Sequence, residues 1–184
     1  MKETGYLIFI LTAICAVSSA LLAAVYNTTK DPIAASLELR TASAAARVMP
    51  QGSGMPEKKT VDGETFFVAK KDGRPVAVAV EGRSPNGYSG EIVLMVGLGA
   101  DGRLVNYQRL VASETPGLGT KIEGDAFVAP LRGRAFGADW RVKKDGGDVD
   151  AVTAATISSR AALECIRDAI AKYEKARRQL GVAE

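Results

Sequence analysis

A run of small and hydroxyl-bearing side chains at residues 150–160, DAVTAATISSR, has the greatest potential for chemistry in this sequence. It follows a loop at residues 145–147 that contains two glycines, and it leads directly into a helical pattern. Such a segment directs unpaired backbone N–H groups and hydroxyls toward one place, which suits a bound phosphate. The plainer interpretation is that Ser158 or Ser159 caps an ordinary helix, as hydroxyl side chains often do.

A second segment, ETPGLG at residues 114–119, has the composition of a loop that can lie against a flat ring. Pro116 fixes one backbone angle, and the glycines on either side of Leu118 let the main chain approach a planar group closely. Leu118 would then cover the face of the ring, while Thr115 and main-chain groups supply hydrogen bonds. A plain surface turn is the alternative interpretation.

Together the two segments resemble motifs of the FMN-binding domain family, which occurs in the G subunit of Rnf complexes and the C subunit of the sodium-pumping NADH:quinone reductase. In the family's flavinylation motif an Asp precedes a Ser or Thr, a small residue, an Ala, and the Thr whose hydroxyl is esterified by the FMN phosphate. The family usually has Gly where this chain has Ala154, and an Ala is strained at positive φ. The matching residues are Asp150, Thr153, Ala154, Ala155 and Thr156. The resemblance therefore implies that Thr156 is the covalent anchor of FMN, with further cofactor contacts from Thr153, Ala154, Ala155, Glu114, Thr115, Gly117 and Leu118.

The resemblance also implies a function. The chain would be an electron-carrying flavoprotein subunit of a membrane-bound Rnf-type complex that transfers electrons between ferredoxin and NAD, coupled to Na+ or H+ translocation. Its partners would be the other membrane, iron–sulfur and flavin subunits of that translocase, together with membrane lipid. A separate flavin transferase is expected as well, because threonine needs an activating base and the sequence has no His. The alternatives are the C subunit of the quinone reductase, which the short length disfavours, and a flavin-free anchored scaffold domain.

Composition excludes several other classes of function. The net charge is only +3 and the basic residues are scattered, so nucleic acid is not expected as a partner. The absence of His argues against hydrolytic triads and ordinary zinc sites, and we assign no catalytic or metal-binding residue. Cys15 and Cys165 are too few to hold an iron–sulfur cluster and are expected to be free thiols. A counter-charge for the phosphate could come from Lys121, Lys143 or Lys144.

Residues 5–26 contain no charged side chain and predict a transmembrane helix. A helix of that length spans about 33 Å, which is enough to cross a hydrocarbon core of about 30 Å. The alternative is a signal peptide cleaved near Ser18 and Ala20, but the apolar run continues beyond that site. Charge does not determine the orientation. The resemblance implies a bacterial inner (cytoplasmic) membrane, a short cytoplasmic N-terminus at residues 1–4 and a flavin domain on the outer, periplasmic face.

The remaining elements complete an expected α+β fold, a single N-terminal transmembrane helix followed by an FMN-binding domain with an antiparallel sheet flanked by helices. Asp31 and Pro32 predict the start of a second helix, within a juxtamembrane helix and linker at residues 27–56. The FMN-binding domain would occupy residues 57–184, and its last helix would begin next to Thr156. Short apolar runs and the hairpin signals Asp72-Gly73 and Asp101-Gly102 predict the sheet. The predicted strands are 65–70, 75–80, 92–98 and 104–112.

Overall fold

The computed structural model describes residues 2–182, with side chains from residue 4 onward. Its first element, α1, runs from Lys2–Arg47. By length and composition α1 could cross a membrane. The chain divides into one compact unit that ends at Arg40 and another that begins at Thr41. Met1, the side chains of Lys2 and Glu3, and residues 183–184 lie outside the described part, so the cytoplasmic segment 1–4 stays a prediction.

The prediction of a new helix at Asp31 is wrong, because α1 continues without interruption through Pro32. Proline lacks an N–H and crowds the carbonyl four residues earlier, so it costs one backbone hydrogen bond in the middle of a helix. Residues 27–31, NTTKD, are mostly weak helix formers, but residues 20–24 and 34–39 are rich in Ala and Leu and favour a helix that continues past this defect.

The unit that begins at Thr41 is built on a five-stranded antiparallel sheet with the order β1-β2-β3-β4-β5. Each strand pairs with its neighbour in sequence, so the sheet is a simple meander. A long helix, α3, follows at Thr156–Leu180, and short helical turns lie between the sheet and α3. The strands are β1 Glu57–Val61, β2 Glu64–Lys71, β3 Arg74–Gly87, β4 Gly90–Gly99 and β5 Leu104–Val111. The short turns are the 3₁₀ helix Gly119–Glu123, α2 at Asp125–Val128, and the 3₁₀ helices Ala129–Leu131 and Lys143–Asp145.

The antiparallel sheet and the α+β class are confirmed, but β1 was not predicted. Its sequence, EKKTV, is mostly polar and its side chains are mostly exposed, because β1 is an edge strand. The turn after it did carry a signal. Asp62 and Gly63 have φ values of 50° and 81°, and Asp72 and Gly73 have 53° and 77°, the pattern of a type I′ hairpin.

Both faces of the sheet are covered within this unit. On one face, α3 packs on β3 and β4 and encloses the main core, with the aliphatic side chains of Leu163 and Ile166 fully buried. On the other face, Ala45 and Val48 pack against a smaller set that includes Met95. The sheet residues thus alternate between two apolar layers, and α3 is held firmly with its N-terminus at the edge of the core. The free-thiol prediction is confirmed for Cys15 and for Cys165, which lies buried in α3.

Candidate functional site

The first turn of α3 begins at Thr156, directly after the small residues of the hydroxyl-rich segment. Ala155 occupies the N-cap position and makes no side-chain capping hydrogen bond. Ser159 Oγ donates to the carbonyl of Ala155 at 2.9 Å and accepts from the N–H of Val152 at 3.0 Å. Ser158 Oγ faces elsewhere, so the interpretation of either serine as an ordinary cap is wrong. Among the described residues no side chain caps α3, and its positive dipole end can meet an anion.

A cleft of about 490 Å³ lies at this helix terminus. It is formed where the 114–119 loop and the 150–156 loop, distant in sequence, come together. Its lining residues are Tyr88, Glu114, Thr115, Leu118, Gly119, Ala154, Ala155, Thr156, Ile157 and Ser158. The volume lies within the range of about 300 to 1,000 Å³ that is usual for small-molecule sites.

Six of the eight residues that the sequence assigned to the cofactor line this cleft, and two do not. Gly117 has φ of 77° and donates its N–H to Thr120 Oγ1 at 3.0 Å, so it shapes the loop. Thr153 lines a neighbouring cleft of about 390 Å³, together with Lys121 and Asp150. The two threonines of the segment therefore face different clefts.

Glu114 is a buried carboxylate, 6% exposed, whose oxygens are held by the protein itself. Oε2 accepts from Ser158 Oγ at 2.7 Å, and Oε1 accepts from the N–H of Tyr88 at 2.9 Å and of Ser89 at 3.4 Å. A Cβ on Gly119 would collide with this carboxylate. Glu114 thus joins the 87–90 turn, the 114–119 loop and α3, a structural role that the sequence prediction did not give it.

Four lining residues were not among the predicted site residues, namely Tyr88, Gly119, Ile157 and Ser158. Three apolar side chains at the cleft remain accessible, with Tyr88 67%, Ile157 45% and Leu118 42% exposed. The sequence does contain a signal for Tyr88, because the turn GYSG at residues 87–90 also resembles a segment of the FMN-binding family. The signal for Ile157 was its position in the first turn of the helix that follows the hydroxyl-rich segment.

The structure distinguishes among the three candidate lysines. Lys144 Nζ donates to the hydroxyl of Thr156 at 3.3 Å. Lys143 Nζ instead pairs with Asp150 Oδ2 at 2.8 Å, and Lys121 lines the neighbouring cleft. The cation at the Thr156 hydroxyl is therefore Lys144.

The turn that carries Lys144 is fixed to α3 by a bidentate ion pair. The guanidinium of Arg160 donates to both oxygens of Asp145 at 2.7 and 2.6 Å. These hydrogen bonds hold the pKa of Asp145 below its usual value. The bidentate geometry defines the orientation of the turn relative to the helix.

Ala154 adopts φ of 61°, in the left-handed region. A non-glycine residue there costs roughly 1 to 2 kcal/mol, and such strain often accumulates at functional loops. The strain anticipated for an Ala at this position is therefore present.

The chemistry that the lining of the cleft supports is anion binding. The sequence has no His, and no cluster of metal ligands occurs in the described part of the chain. Lys144 and the uncapped α3 amides can meet a phosphate, while the accessible apolar side chains can cover a planar ring. The Thr156 hydroxyl bonds to the Lys144 ammonium, and a charged ammonium has no lone pair with which to activate it.

Comparisons with known proteins agree with this geometry. Residues 87–171 match the model of the FMN-binding domain, which confirms the resemblance seen in the motifs. Two curated relatives are named as the G subunit of the ion-translocating oxidoreductase complex. The Shewanella baltica protein is 41% identical over 56% of this chain and 52% of its own length. The Vibrio parahaemolyticus protein is 34% identical over 68% of this chain and 62% of its own length.

The chain thus matches between about half and two thirds of the length of these relatives. Among solved structures, Shewanella oneidensis NqrC is similar, with a TM-score of 0.51, 19% identity, and coverage of 77% of this chain and 73% of that one. At this identity the similarity to NqrC concerns the fold alone.

Proposed function

We propose that this chain, which contains an FMN-binding domain, is a membrane-anchored subunit that carries electrons in an Rnf-type ion-translocating oxidoreductase complex. Its FMN is joined through a phosphoester to Thr156. The observation that carries the proposal is the position of the Thr156 hydroxyl at the first residue of an uncapped helix, inside a cleft of suitable volume. Six of the residues that line this cleft were assigned to FMN from the sequence motifs alone, and the geometry of the cleft gives a physical reason for their contact with the cofactor.

The cleft fits the two ends of FMN. At the phosphate end, the α3 amides, Lys144 and the Thr156 hydroxyl provide donors and positive charge. A helix N-terminus stabilises an exposed negative charge by about 0.3 to 1 kcal/mol. At the ring end, the exposed apolar surface of Leu118 and Ile157 can pack on a planar group. FMN, when bound, supplies the ability to accept and donate electrons singly, which no side chain here provides.

The chain's own residues bind and orient the cofactor but do not attach it. Threonine is a weak nucleophile without a base, and Glu114 is already engaged by Ser158 and by backbone amides. A separate flavin transferase therefore supplies the base. The covalent bond keeps FMN on a domain that we place on the periplasmic side, where a dissociated cofactor would be lost.

The place of this subunit in a complex is supported by sequence relatives. Proteins named as G subunits share 34–41% identity with it, whereas the likeness to NqrC is one of fold. This difference favours an Rnf-type complex over the quinone reductase. The apolar α1 supports a single anchor in the inner membrane. In that complex the flavin would relay electrons between ferredoxin and NAD, with Na+ or H+ translocation performed by the whole assembly.

The test is covalent flavin fluorescence on a denaturing gel, with the full chain co-expressed with a flavin transferase. The wild type should fluoresce, Thr156→Ala should be dark, and Thr156→Ser should retain fluorescence because it keeps a hydroxyl. Mass spectrometry should find FMN less one water on the peptide that contains Thr156. Thr60→Ala, an exposed position on β1, is the matched control and should fluoresce like the wild type.

A dark wild-type chain in cells with an active transferase would leave the flavin-free scaffold as the better description. Fluorescence that persists in Thr156→Ala would show that the ester lies elsewhere. Purification of the native assembly then identifies the complex, because Rnf and quinone reductase partners differ. Recovery of quinone reductase subunits would overturn the Rnf assignment while leaving the ester intact.

A further inference from the structure

The two threonines of the 150–156 loop have different electrostatic surroundings. Thr156 lines the larger cleft at the α3 terminus and accepts a hydrogen bond from Lys144 at 3.3 Å. Thr153 is exposed and lines the neighbouring cleft. Both side chains carry the same hydroxyl, so the selection of one of them for flavin attachment must depend on what surrounds each oxygen.

Lys144 lies in a turn whose position is fixed by ion pairs of the residues immediately before and after it. Immediately before it, Lys143 pairs with Asp150 of the loop at 2.8 Å. Immediately after it, Asp145 accepts two hydrogen bonds from Arg160 of α3. Three successive residues thus contact the start of the loop, the acceptor hydroxyl and the helix. Because its two neighbours make the ion pairs that hold the turn, Lys144 can direct its ammonium at Thr156.

We propose that Lys144 is the positioning residue for flavin attachment: it holds the phosphate of the incoming flavin nucleotide at Thr156 and then neutralises the phosphodiester. This inference rests on the proposed ester. The co-reactant is a flavin nucleotide whose phosphate is activated as a phosphoanhydride. The bond from Thr156 Oγ to phosphorus forms, the anhydride bond to the leaving phosphate breaks, and the hydroxyl proton passes to a base of the transferase. Lys acts on phosphate as a point charge, and this is its role here.

The test is the rate of flavinylation of the purified full chain by a flavin transferase, measured by gel fluorescence at limiting transferase. Lys144→Gln should slow attachment about five- to tenfold, because it removes one charged contact at an exposed site. Lys144→Arg should recover most of the rate, since it keeps the charge. Lys71→Gln, an exposed lysine at the end of β2, is the control and should match the wild type.

Two further measurements separate charge from folding. The unfolding midpoint of each variant, followed by the fluorescence of the single Trp140, should be unchanged, because Lys144 is exposed. The rate for Lys121→Gln should also be unchanged, since that lysine lines the other cleft. Peptide mass spectrometry should find the flavin on Thr156 and not on Thr153 in every variant that reacts.

Equal rates for wild type and Lys144→Gln would overturn the role of Lys144. A slow Lys144→Gln that Arg does not rescue, with a lowered unfolding midpoint, would also overturn it, because the lysine would then only support the loop. Neither result affects the ester, which fails if the wild-type chain stays dark with an active transferase or if Thr156→Ala still becomes flavinylated. The two proposals are therefore tested by different variants.

Discussion

The 114–119 loop is built around a buried carboxylate, whereas Asp150, at the start of the 150–156 loop, makes an ion pair at the surface. Glu114 and Ser158, 6% and 1% exposed, form the buried contact. In the ion pair of Lys143 with Asp150, the side chains are 58% and 81% exposed. Buried polar pairs are costly to break, while exposed ion pairs contribute about 0 to 1 kcal/mol. The contacts of Glu114 therefore contribute more to stability than the exposed ion pair, and exposed side chains of the 150–156 loop can be changed at little cost to the fold.

The largest effect is expected at Gly119, which lies against the buried carboxylate. In Gly119→Ala the new Cβ would collide with Glu114, because no space exists between them. Relief of the clash would also weaken the hydrogen bond to Ser158, so we expect a loss of about 3 kcal/mol in the free energy of unfolding. Chemical denaturation of the full chain in detergent, followed by Trp140 fluorescence, measures it.

Gly137→Ala is the matched control for this change. Gly137 is also in a loop, but a Cβ there meets nothing within 4 Å, so the expected effect is below about 0.5 kcal/mol. Similar losses in the free energy of unfolding for the two variants would mean that the loop around Gly119 can adjust to a new Cβ at little cost. The contrast between the two loops would then disappear.

The second effect is the removal of one hydroxyl from the buried pair. Ser158→Ala leaves Oε2 of Glu114 without its 2.7 Å donor, and we expect a loss of about 2 kcal/mol, typical of a buried hydrogen bond to a charged group. Thr153→Ala removes an exposed hydroxyl from the other loop and should change stability by less than about 0.5 kcal/mol. Equal losses in the free energy of unfolding for Ser158→Ala and Thr153→Ala would contradict the contrast between the two loops.

The sequence predicted the parts of this fold that depend on local patterns. Four of the five strands follow from apolar runs, and the β2–β3 and β4–β5 hairpins follow from the pairs Asp72-Gly73 and Asp101-Gly102. The edge strand β1 was not predicted, because most of its side chains face solvent and its sequence shows no apolar alternation. The continuation of α1 through Pro32 was not predicted, because Asp31 and Pro32 have the local pattern of a helix start, and the Ala- and Leu-rich sequence farther out on both sides outweighed it.

The site was predictable in its motifs but not in its contacts. The pairing of Glu114 with Ser158 joins residues 44 positions apart, and no spacing rule reveals it. The choice of Lys144 over Lys121 and Lys143 depended on ion pairs that commit Lys143 elsewhere. Thr153, assigned with Thr156 because both lie in one motif, faces a different cleft because the backbone turns between them at Ala154.

The smallest effect concerns that turn, where a substitution should stabilise the exposed loop. Ala154 has φ of 61°, and glycine adopts this region without the cost that a Cβ imposes. Part of the gain is offset by the greater freedom of glycine in the unfolded chain, so Ala154→Gly should raise the free energy of unfolding by about 0.5 kcal/mol.

The adjacent Ala155 is the control, since it has φ of −135° and is buried. Ala155→Gly should lower the free energy of unfolding by about 0.5 to 1 kcal/mol. Opposite signs at neighbouring positions, measured by the same denaturation, would locate the strain at Ala154 alone. If both variants lose stability, the left-handed conformation is not strained, and the 150–156 loop is as firmly determined as the 114–119 loop.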